Sequence, residues 1–324
     1  MSAISVRRAF ITGASGQDGS YLAELLLAKG YDVHVLVLGE GDEPLHPEIT
    51  ELLRRVTIHR GNVDDPGCLT RIIAVVQPTE CYHLAARSAV RYEIEIERPT
   101  LATNVIGTLN LLSAVRAGAP ECRVCLAGSS EMFGAPESTP QDENARRNPR
   151  SVYGISKLSA FELMRYYRGH LGLFAATAIL YNHESPRRRP HFVSRKITLG
   201  LARILSGAAS ELVLGNLEAR RDWGHARDYV NAMWRMLQQP QPSDFVIGTG
   251  ELHSVRDFLE RAFERAGLDW SRYVRVDSGL IREDSRIPLL SDSRKARREL
   301  QWEPSTTFND LVDEMVDSDR RLIK

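Results

Sequence analysis

A tyrosine and a lysine stand one helical turn apart near the middle of this 324-residue chain. Tyr153 and Lys157 lie in Ser151–Gly169, where the apolar spacing predicts a helix, and residues four apart share a helix face. A nearby ammonium stabilises a phenolate and lowers the pKa of the phenol, so such a tyrosine can exchange protons near neutral pH. Taken alone, the pair is more often a solvated surface pair, and its interpretation depends on the residues around it.

Two serines and a glutamate supply that context. Arg123–Leu126 is a short apolar run that predicts a strand, and Ser129, Ser130 and Glu131 follow it closely. Ligands of α/β sheets bind at the carboxyl ends of the strands. A carboxylate there has no role in a plain alcohol oxidation, but it is useful if a proton must leave the carbon beside a newly formed ketone. The alternative for Glu131 is a carboxylate that caps a loop or a helix.

A glycine-rich turn near the N-terminus predicts where a cofactor would bind. Gly13, Gly16 and Gly19 follow the predicted strand Ala9–Thr12 and open a predicted helix, Gly19–Lys29. Glycines at such a turn let backbone N–H groups approach a pyrophosphate at the N-terminus of the helix. The spacing alone is equally compatible with an ordinary turn. Its position at the start of a strand–helix–strand repeat favours a dinucleotide site.

The second predicted strand, Val33–Leu38, should carry the residue that contacts the adenosine ribose. An acidic residue there favours NAD and a basic one favours NADP. The strand continues into Gly39 and Glu40 with no arginine, and Glu40 lies far along the loop. These residues leave the choice of cofactor open.

The alternation of elements predicts the fold class. Strands are predicted at Val56–His59, Glu80–Leu84 and Leu173–Leu180, and a further helix at Pro99–Ala117. This order predicts an α/β protein with a Rossmann-type, doubly wound parallel sheet. After residue 181 shorter elements predict a smaller α/β C-terminal part. We expect interleaved domains, with residues 1–181 plus about 222–250 binding the dinucleotide and residues 182–221 plus about 251–324 binding the substrate.

Composition excludes several classes of function. Lys and Arg total 42 and Asp and Glu total 42, so the formal net charge is zero, which argues against a protein that coats nucleic acid. No apolar run approaches the roughly 20 residues that span a bilayer. Four scattered cysteines favour a reducing, cytoplasmic setting over a disulfide framework. The histidines lack the spacing of metal ligands, so no metal is expected.

The order of these features resembles the extended short-chain dehydrogenase/reductase family, in which a turn like Leu84-Ala85-Ala86 also contacts the cofactor. Longer strings resemble the GDP-mannose 4,6-dehydratase family along the whole chain. They are GASGQDGSY at 13–21, NHESPRR at 182–188, GNLEARRDWGHARDYV at 215–230 and GELHSV at 250–255.

The resemblance implies a lyase that converts GDP-mannose, or a GDP-manno-heptose, into the GDP-4-keto-6-deoxy sugar. Tyr153 would take the proton of the sugar 4-hydroxyl, Ser129 would hydrogen-bond the same oxygen, and Lys157 would hold the nicotinamide ribose and tune Tyr153. Glu131 would remove the proton on carbon 5 and help expel the 6-hydroxyl as water. The hydride would return to carbon 6, so the net reaction is a dehydration.

The resemblance also implies NADP as cofactor, with NAD as the alternative, and a homodimer or homotetramer in which Pro99–Ala117 and Ser151–Gly169 pair with their copies. The residues it assigns to the cofactor are Gly13, Ser15, Gly16, Gln17, Asp18, Gly19, Asn62, Val63, Leu84, Ala85, Ala86, Ser88, Tyr153, Lys157, His183 and Arg188. The residues it assigns to the nucleotide sugar are Ser88, Ser130, Glu131, Asn182, Arg187, Lys196, Asn216, Arg221 and Arg282.

Some positions depart from the family pattern. Leu38-Gly39 replaces a pair of arginines that bind the NADP phosphate and build a tetramer contact, so NADP and NAD, and dimer and tetramer, stay open. Ser285 replaces a substrate-side glutamate, which leaves mannose and heptose open. A GDP-sugar reductase or epimerase on the same fold is the main rival function. A nucleotide-binding protein without catalysis is a remote one, because all four catalytic residue types are present.

Overall fold

The computed structural model describes residues 6–38, 45–88, 93–280 and 288–323. The strands are β1 Arg8–Thr12, β2 Asp32–Val37, β3 Thr57–Arg60, β4 Glu80–His83, β5 Arg123–Ala127, β6 Ala175–Leu180, β7 Asn182–Glu184, β8 Leu212–Leu214, β9 Arg220–Arg221, β10 Trp223–His225, β11 Phe245–Ile247, β12 His253–Ser254 and β13 Val274–Val276. The α-helices are α1 Gln17–Ala28, α2 Pro47–Leu53, α3 Pro66–Val76, α4 Glu97–Leu101, α5 Gly107–Gly118, α6 Val152–Leu171, α7 Val193–Leu205, α8 Ala226–Leu237, α9 Val255–Arg265, α10 Arg294–Leu300 and α11 Phe308–Leu322.

Seven of the strands form one parallel sheet in the order β11-β6-β5-β4-β1-β2-β3. The chain winds outward from β1 to β3, then crosses to β4 and continues the other way. This reversal places a crevice at the carboxyl ends of β1 and β4, where doubly wound sheets bind ligands. The predicted fold class is therefore confirmed.

Each face of the sheet carries its own apolar core, as expected for alternating side chains in buried parallel strands. One core joins the sheet to α1 and α8, and Tyr82 of β4 belongs to it. The other joins the sheet to α3, α5 and α6, and Cys81 of β4 belongs to that one. A third core unites α7, α9, α11 and β8 away from the sheet.

The predicted strands of the large sheet are present, with ends that differ by a few residues. The predicted helix Pro99–Ala117 is interrupted, because residues Ala102–Ile106 between α4 and α5 form a π-helical segment. The polar segment after residue 181, for which no strand was predicted, contains β7, which pairs in parallel with β10. Among the described residues, no helix is both long and apolar enough to cross a membrane.

Candidate active site

Tyr153, Lys157 and Ser129 meet at the carboxyl edge of β5. Ser151 caps α6 by accepting the Gly154 amide at 3.0 Å, which starts the helix just before Tyr153. Ser129 is 8% exposed and hydrogen-bonds the Tyr153 side chain. The Lys157 ammonium is also buried and donates to the carbonyl of Ala127 at 2.8 Å. The strand end and the first turns of one helix thus fix the three side chains together.

Burial dominates the electrostatics of this group. It raises the pKa of Tyr153 to about 12, an effect that Glu131 and Asp18 reinforce, whereas the hydrogen bond from Ser129 and the charge of Arg188 oppose it. Burial also lowers the pKa of Lys157 to about 8, with Asp18 opposing the shift. A lysine that is charged near neutral pH, with Nζ 5.9 Å from the centre of the Tyr153 ring, favours the phenolate form of the tyrosine.

Glu131 lies beside this group in a short 3₁₀ helix, Ser130–Met132. The Ser129 hydroxyl accepts the Glu131 amide at 3.2 Å, so one serine contacts both Glu131 and Tyr153. The Glu131 backbone packs against α6, where a side chain on Gly154 would put its Cβ 2.6 Å from the Glu131 carbonyl oxygen. Ser130 is buried next to it. The half-buried Glu131 is therefore placed to exchange a proton next to Tyr153.

The glycine-rich turn packs directly against the segment after β4. Gly13 has φ +80°, and a Cβ on it would lie 2.7 Å from the Ala85 amide nitrogen. A Cβ on Gly19 would lie 2.6 Å from the Ala14 Cα. The N-cap residue of α1 is Gly16, which has no side chain to accept hydrogen bonds from the first-turn amides. These amides therefore remain available to an anionic ligand at the N-terminus of the helix. This cradle fits the diphosphate of a dinucleotide and unites the predicted cofactor segments 13–19 and 84–86.

A buried ion pair ties this turn to β7. His183 Nε2 lies 2.8 Å from an Asp18 carboxylate oxygen, and its Nδ1 lies 2.7 Å from the Tyr181 carbonyl. Burial by itself would raise the pKa of Asp18, but the His183 charge and hydrogen bond outweigh it and hold this pKa at about 2. The same pairing outweighs burial at His183 and raises its pKa. Gln17 adds hydrogen bonds to the His183 carbonyl and to Ser185.

The two neighbouring arginines of the NHESPRR string have different surroundings. Arg188 stacks on Phe192 at 3.5 Å, lies 3.1 Å from a Glu184 carboxylate oxygen, and contributes charge at Tyr153. Arg187 is 7% exposed and stacks on a tyrosine of α1. Its guanidinium donates to Ser20, Glu24 and Glu48. The structure therefore brings Arg188, but not Arg187, to the Tyr153 group.

The remaining predicted residues are spread around the crevice. Exposed Asn62 forms a turn with Asp64, and buried Val63 packs beneath α5. Ser88 is exposed after β4, and Ser15 is half-buried in the glycine turn. The substrate-side residues lie on separate elements, namely Asn182 on β7, Lys196 on α7, Asn216 after β8 and Arg221 on β9. Gly39, Glu40, Arg282 and Ser285 lie outside the described residues.

Two polar residues that sequence reasoning missed support the crevice. Buried Asn104, in the π segment, accepts the Arg87 amide at 2.9 Å and donates to Ser156 at 2.8 Å. Fully buried Asp222 accepts hydrogen bonds from Thr249, Gly250 and Ser291. Asn104 had no signal beyond its place in a helical pattern. Asp222 stood in the family-like string at 215–230, beside Arg221, and that proximity could have indicated it.

In the described part of the chain, no group of three or more His, Cys, Asp or Glu side chains could hold a metal ion. The glycine cradle, the serine and glutamate after β5, and the tyrosine–lysine pair on α6 define a nicotinamide-dependent enzyme of the extended short-chain dehydrogenase/reductase class.

Comparison with known proteins narrows this class. Residues 10–315 match the GDP-mannose 4,6 dehydratase family. The chain is 40% identical over 342 residues to GDP-mannose 4,6 dehydratase of Homo sapiens, covering 98% of this chain and 92% of that one. It is 44% identical over 331 residues to GDP-mannose 4,6 dehydratase 2 of Arabidopsis thaliana, covering 98% and 87%. The chain belongs to the GDP-mannose 4,6-dehydratase family, as the sequence resemblance indicated.

Solved structures support the fold. A dTDP-glucose 4,6-dehydratase of Streptomyces venezuelae, solved with NAD bound, superposes with a TM-score of 0.84 at 25% identity, covering 97% of each chain. A UDP-glucose 4-epimerase of Thermotoga maritima superposes with a TM-score of 0.85 at 24% identity, covering 98% of this chain and 100% of that one.

Proposed function

We propose that this protein is a GDP-sugar 4,6-dehydratase that converts GDP-mannose into GDP-4-keto-6-deoxymannose and water. The observation that carries the proposal is Glu131, a half-buried glutamate just after β5 whose charge acts on Tyr153, in a chain of this family. A plain reductase or oxidase needs the tyrosine but has no use for a second proton acceptor beside it. A dehydratase needs both.

The residues divide the proton transfers between them. A nicotinamide cofactor held by the glycine cradle would supply the hydride transfer from carbon 4 to carbon 6. Tyr153 takes the proton of the 4-hydroxyl during oxidation, and Ser129 orients the same oxygen. The carbon-5 proton is acidic only beside the new ketone, and Glu131 removes it and protonates the departing 6-hydroxyl. Tyr153 still holds the proton of the 4-hydroxyl, and this proton goes to carbon 5 as the hydride reaches carbon 6, so every proton is accounted for and the side chains return to their starting state.

The charges of the C-terminal elements suit the nucleotide diphosphate. Lys196 on α7 and Arg221 on β9 supply cationic donors, and Asn182 on β7 and Asn216 after β8 supply amides. Asn216 accepts the Glu218 amide at 2.9 Å, which fixes the loop after β8. Contacts from Arg187 would require its ion pairs with Glu24 and Glu48 to open, so we assign the diphosphate first to Arg221 and Lys196.

For the cofactor we propose NADP, with NAD as the alternative. Leu38, 67% exposed, follows β2 without a cation, and Arg188 is bound near Tyr153 and Asp18. The sequence after Leu38, GEGDE at 39–43, also lacks a cation, so the proposal of NADP rests on the family and stands against this local chemistry. Denaturing the purified protein and identifying the released nucleotide by mass spectrometry distinguishes NADP from NAD, because NADP is heavier by the mass of its 2′-phosphate.

We further propose a homodimer formed by α4, α5 and α6. These helices expose Leu101, Leu109, Ile155 and Tyr166, which have at least 36% of their surface open in the monomer. Light scattering of the protein and of Leu109→Glu tests this assignment, since a buried charge would shift a dimer to monomer.

The four cysteines are buried free thiols, in keeping with a reducing cytoplasmic setting. The interleaved domain division proposed from the sequence assigns α8 and β11 to the dinucleotide domain.

The deciding experiment is incubation with GDP-mannose and no added cofactor. We expect loss of one water and formation of a 4-keto product, measured by mass spectrometry, with no net change in nicotinamide absorbance. An epimerase would give a product of unchanged mass. A reductase would require added reduced cofactor and a keto-sugar. A matching trial with a GDP-manno-heptose tests the second sugar class.

A further inference from the structure

A buried histidine outside the reaction scheme lies on the Lys157 side of the sheet. His83 ends β4 and is 2% exposed. Its neighbour Tyr82 faces the core that contains α1, whereas Cys81 faces the core that contains α6. Since side chains alternate along a strand, His83 shares the α6 face with Cys81. Lys157 is buried on that same side, one turn before Ala160 of the same core.

One ring nitrogen of His83 is paired and the other is not. Nδ1 lies 2.8 Å from the Thr12 hydroxyl, which also accepts the Ala85 amide at 3.2 Å. Nε2 is buried and has no hydrogen-bond partner among the described residues. Burial, with the Lys157 charge adding to it, lowers the pKa of His83 to about 3, so the imidazole is neutral. Leaving such a polar atom unpaired is costly, and buried water commonly satisfies it.

The ammonium of Lys157 has donors to spare. One hydrogen goes to the Ala127 carbonyl on β5, and β5 is the strand beside β4. The charged groups that act on Tyr153 are Glu131 from the segment after β5, Arg188 from the loop after β7 and Asp18 from α1, and Asp18 also acts on Lys157. The Lys157 charge acts in turn on His83, which pairs across the sheet with Leu126, the residue before Ala127. His83 is therefore a neutral group with an unpaired acceptor on a strand next to the carbonyl that Lys157 contacts.

We propose that His83 is a positioning residue for Lys157. One buried water accepts a hydrogen bond from the Lys157 ammonium and donates one to Nε2 of His83, while the protonated Nδ1 of His83 donates to Thr12. The bond stabilises the charged lysine, and the charged lysine in turn favours the Tyr153 phenolate. His83 does not contact the substrate. The part of this proposal that concerns turnover rests on the proposed dehydratase function, whereas the lysine charge can be measured without it.

The chain has only five lysines, Lys29, Lys157, Lys196, Lys295 and Lys324, so ¹⁵N-lysine NMR can follow Lys157 directly. The titration compares the wild type with His83→Phe, which keeps a ring without nitrogen, and His83→Gln, which keeps an acceptor. His59→Phe is the matched control, because His59 is a histidine on the edge strand β3. We expect the Lys157 pKa to fall by about one unit in His83→Phe. In His83→Gln and in His59→Phe it should remain close to the wild-type value.

Single-turnover reduction of bound cofactor by GDP-mannose gives the second measurement. The alkaline limb of its pH profile should move to lower pH by about one unit in His83→Phe only. Equal shifts in His83→Phe and His83→Gln would assign the effect to packing and overturn the proposal. An unchanged Lys157 pKa in folded His83→Phe, or an Nε2–H tautomer in ¹⁵N-histidine spectra, would also overturn it. If the wild type fails to dehydrate GDP-mannose, the proposed function fails, but the lysine titration still tests His83.

Discussion

The two sides of the crevice are built differently. On the cofactor side, the reacting groups sit at strand ends or in the first turns of helices, and each is tied by short bonds, such as Lys157 to Ala127 and Asp18 to His183. On the proposed substrate side, Lys196 lies on α7, Asn216 in the loop after β8 and Arg221 on β9, around a different core. We therefore expect the sheet to fix the chemistry and these separate segments to set the choice of sugar.

Replacing the tyrosine tests the fixed side most severely. In Tyr153→Phe the 4-hydroxyl loses its proton acceptor while the ring and its packing remain. We expect turnover to fall by about 10²–10⁴-fold, with no reduction of bound cofactor after substrate is added. Stopped-flow absorbance of the nicotinamide measures this directly. Tyr273→Phe, at a tyrosine that packs on Phe263 in the third core, serves as the control and should react normally. Normal cofactor reduction in Tyr153→Phe would transfer the base role to another group.

Glu131→Gln separates the two proton transfers. The amide keeps the shape of the side chain but cannot take the carbon-5 proton, so we expect dehydration to slow by about 10²–10⁴-fold while oxidation still proceeds. Reduced cofactor should therefore accumulate, the opposite of the result for Tyr153→Phe. Glu137→Gln, an exposed glutamate paired with Arg146, is the control. A Glu131→Gln protein with near-normal dehydration would remove Glu131 from the mechanism.

Most of the fixed side could be predicted from sequence. Tyr153 and Lys157 follow helical spacing, Ser129 and Glu131 follow a strand, and the glycine turn opens a helix, so local patterns suffice. His83, Asn104 and Asp222 could not be found this way. Their roles depend on partners such as Thr12, Ser156 and Thr249, which lie 71, 52 and 27 positions away, and no periodicity in the sequence reports such pairings. Arg187 shows the same limit, since only the structure reveals its glutamate partners.

Asp222→Asn tests the variable side. Asp222 accepts hydrogen bonds from the Thr249 and Gly250 amides and from the Ser291 hydroxyl. It follows Arg221 directly, so these bonds hold the Arg221 segment against Thr249–Gly250 and Ser291. The amide would lose part of these charge-assisted bonds. We expect KM for GDP-mannose to rise about tenfold with a smaller change in kcat. Cofactor content should be unchanged.

The matched control for Asp222→Asn is Asp228→Asn. Asp228 is another buried carboxylate that accepts backbone amides, from Ser305 and Thr306, but it fixes the segment before α11 instead. The Asp228→Asn substitution should lower the melting temperature without raising KM for GDP-mannose more than it changes kcat. Equal KM values for the two variants would show that Asp222 acts on the fold alone, and the distinction between the two sides of the crevice would lose its support.

The smallest effect concerns the Asp18–His183 pair on the cofactor side. The pKa of Asp18 is lowered from 3.8 to about 2, so its contribution to stability is complete above about pH 4 and is lost as the pH falls towards 2. The pKa of His183 is raised from 6.5, so its contribution is complete below about 6.5 and is lost as the pH rises through the raised value. The pair should therefore stabilise the protein most between about pH 4 and 6.5. The unfolding free energies of the wild type and His183→Gln, measured with urea from about pH 4 to 9, should differ most inside the window and approach each other on its alkaline side. There the neutral imidazole can donate to only one of its two acceptors, the Asp18 carboxylate and the Tyr181 carbonyl. A difference that stays constant up to pH 9 would show that His183 stabilises by packing on Tyr229, whose ring it stacks on at 4.8 Å, and that the charge of the pair adds no stability.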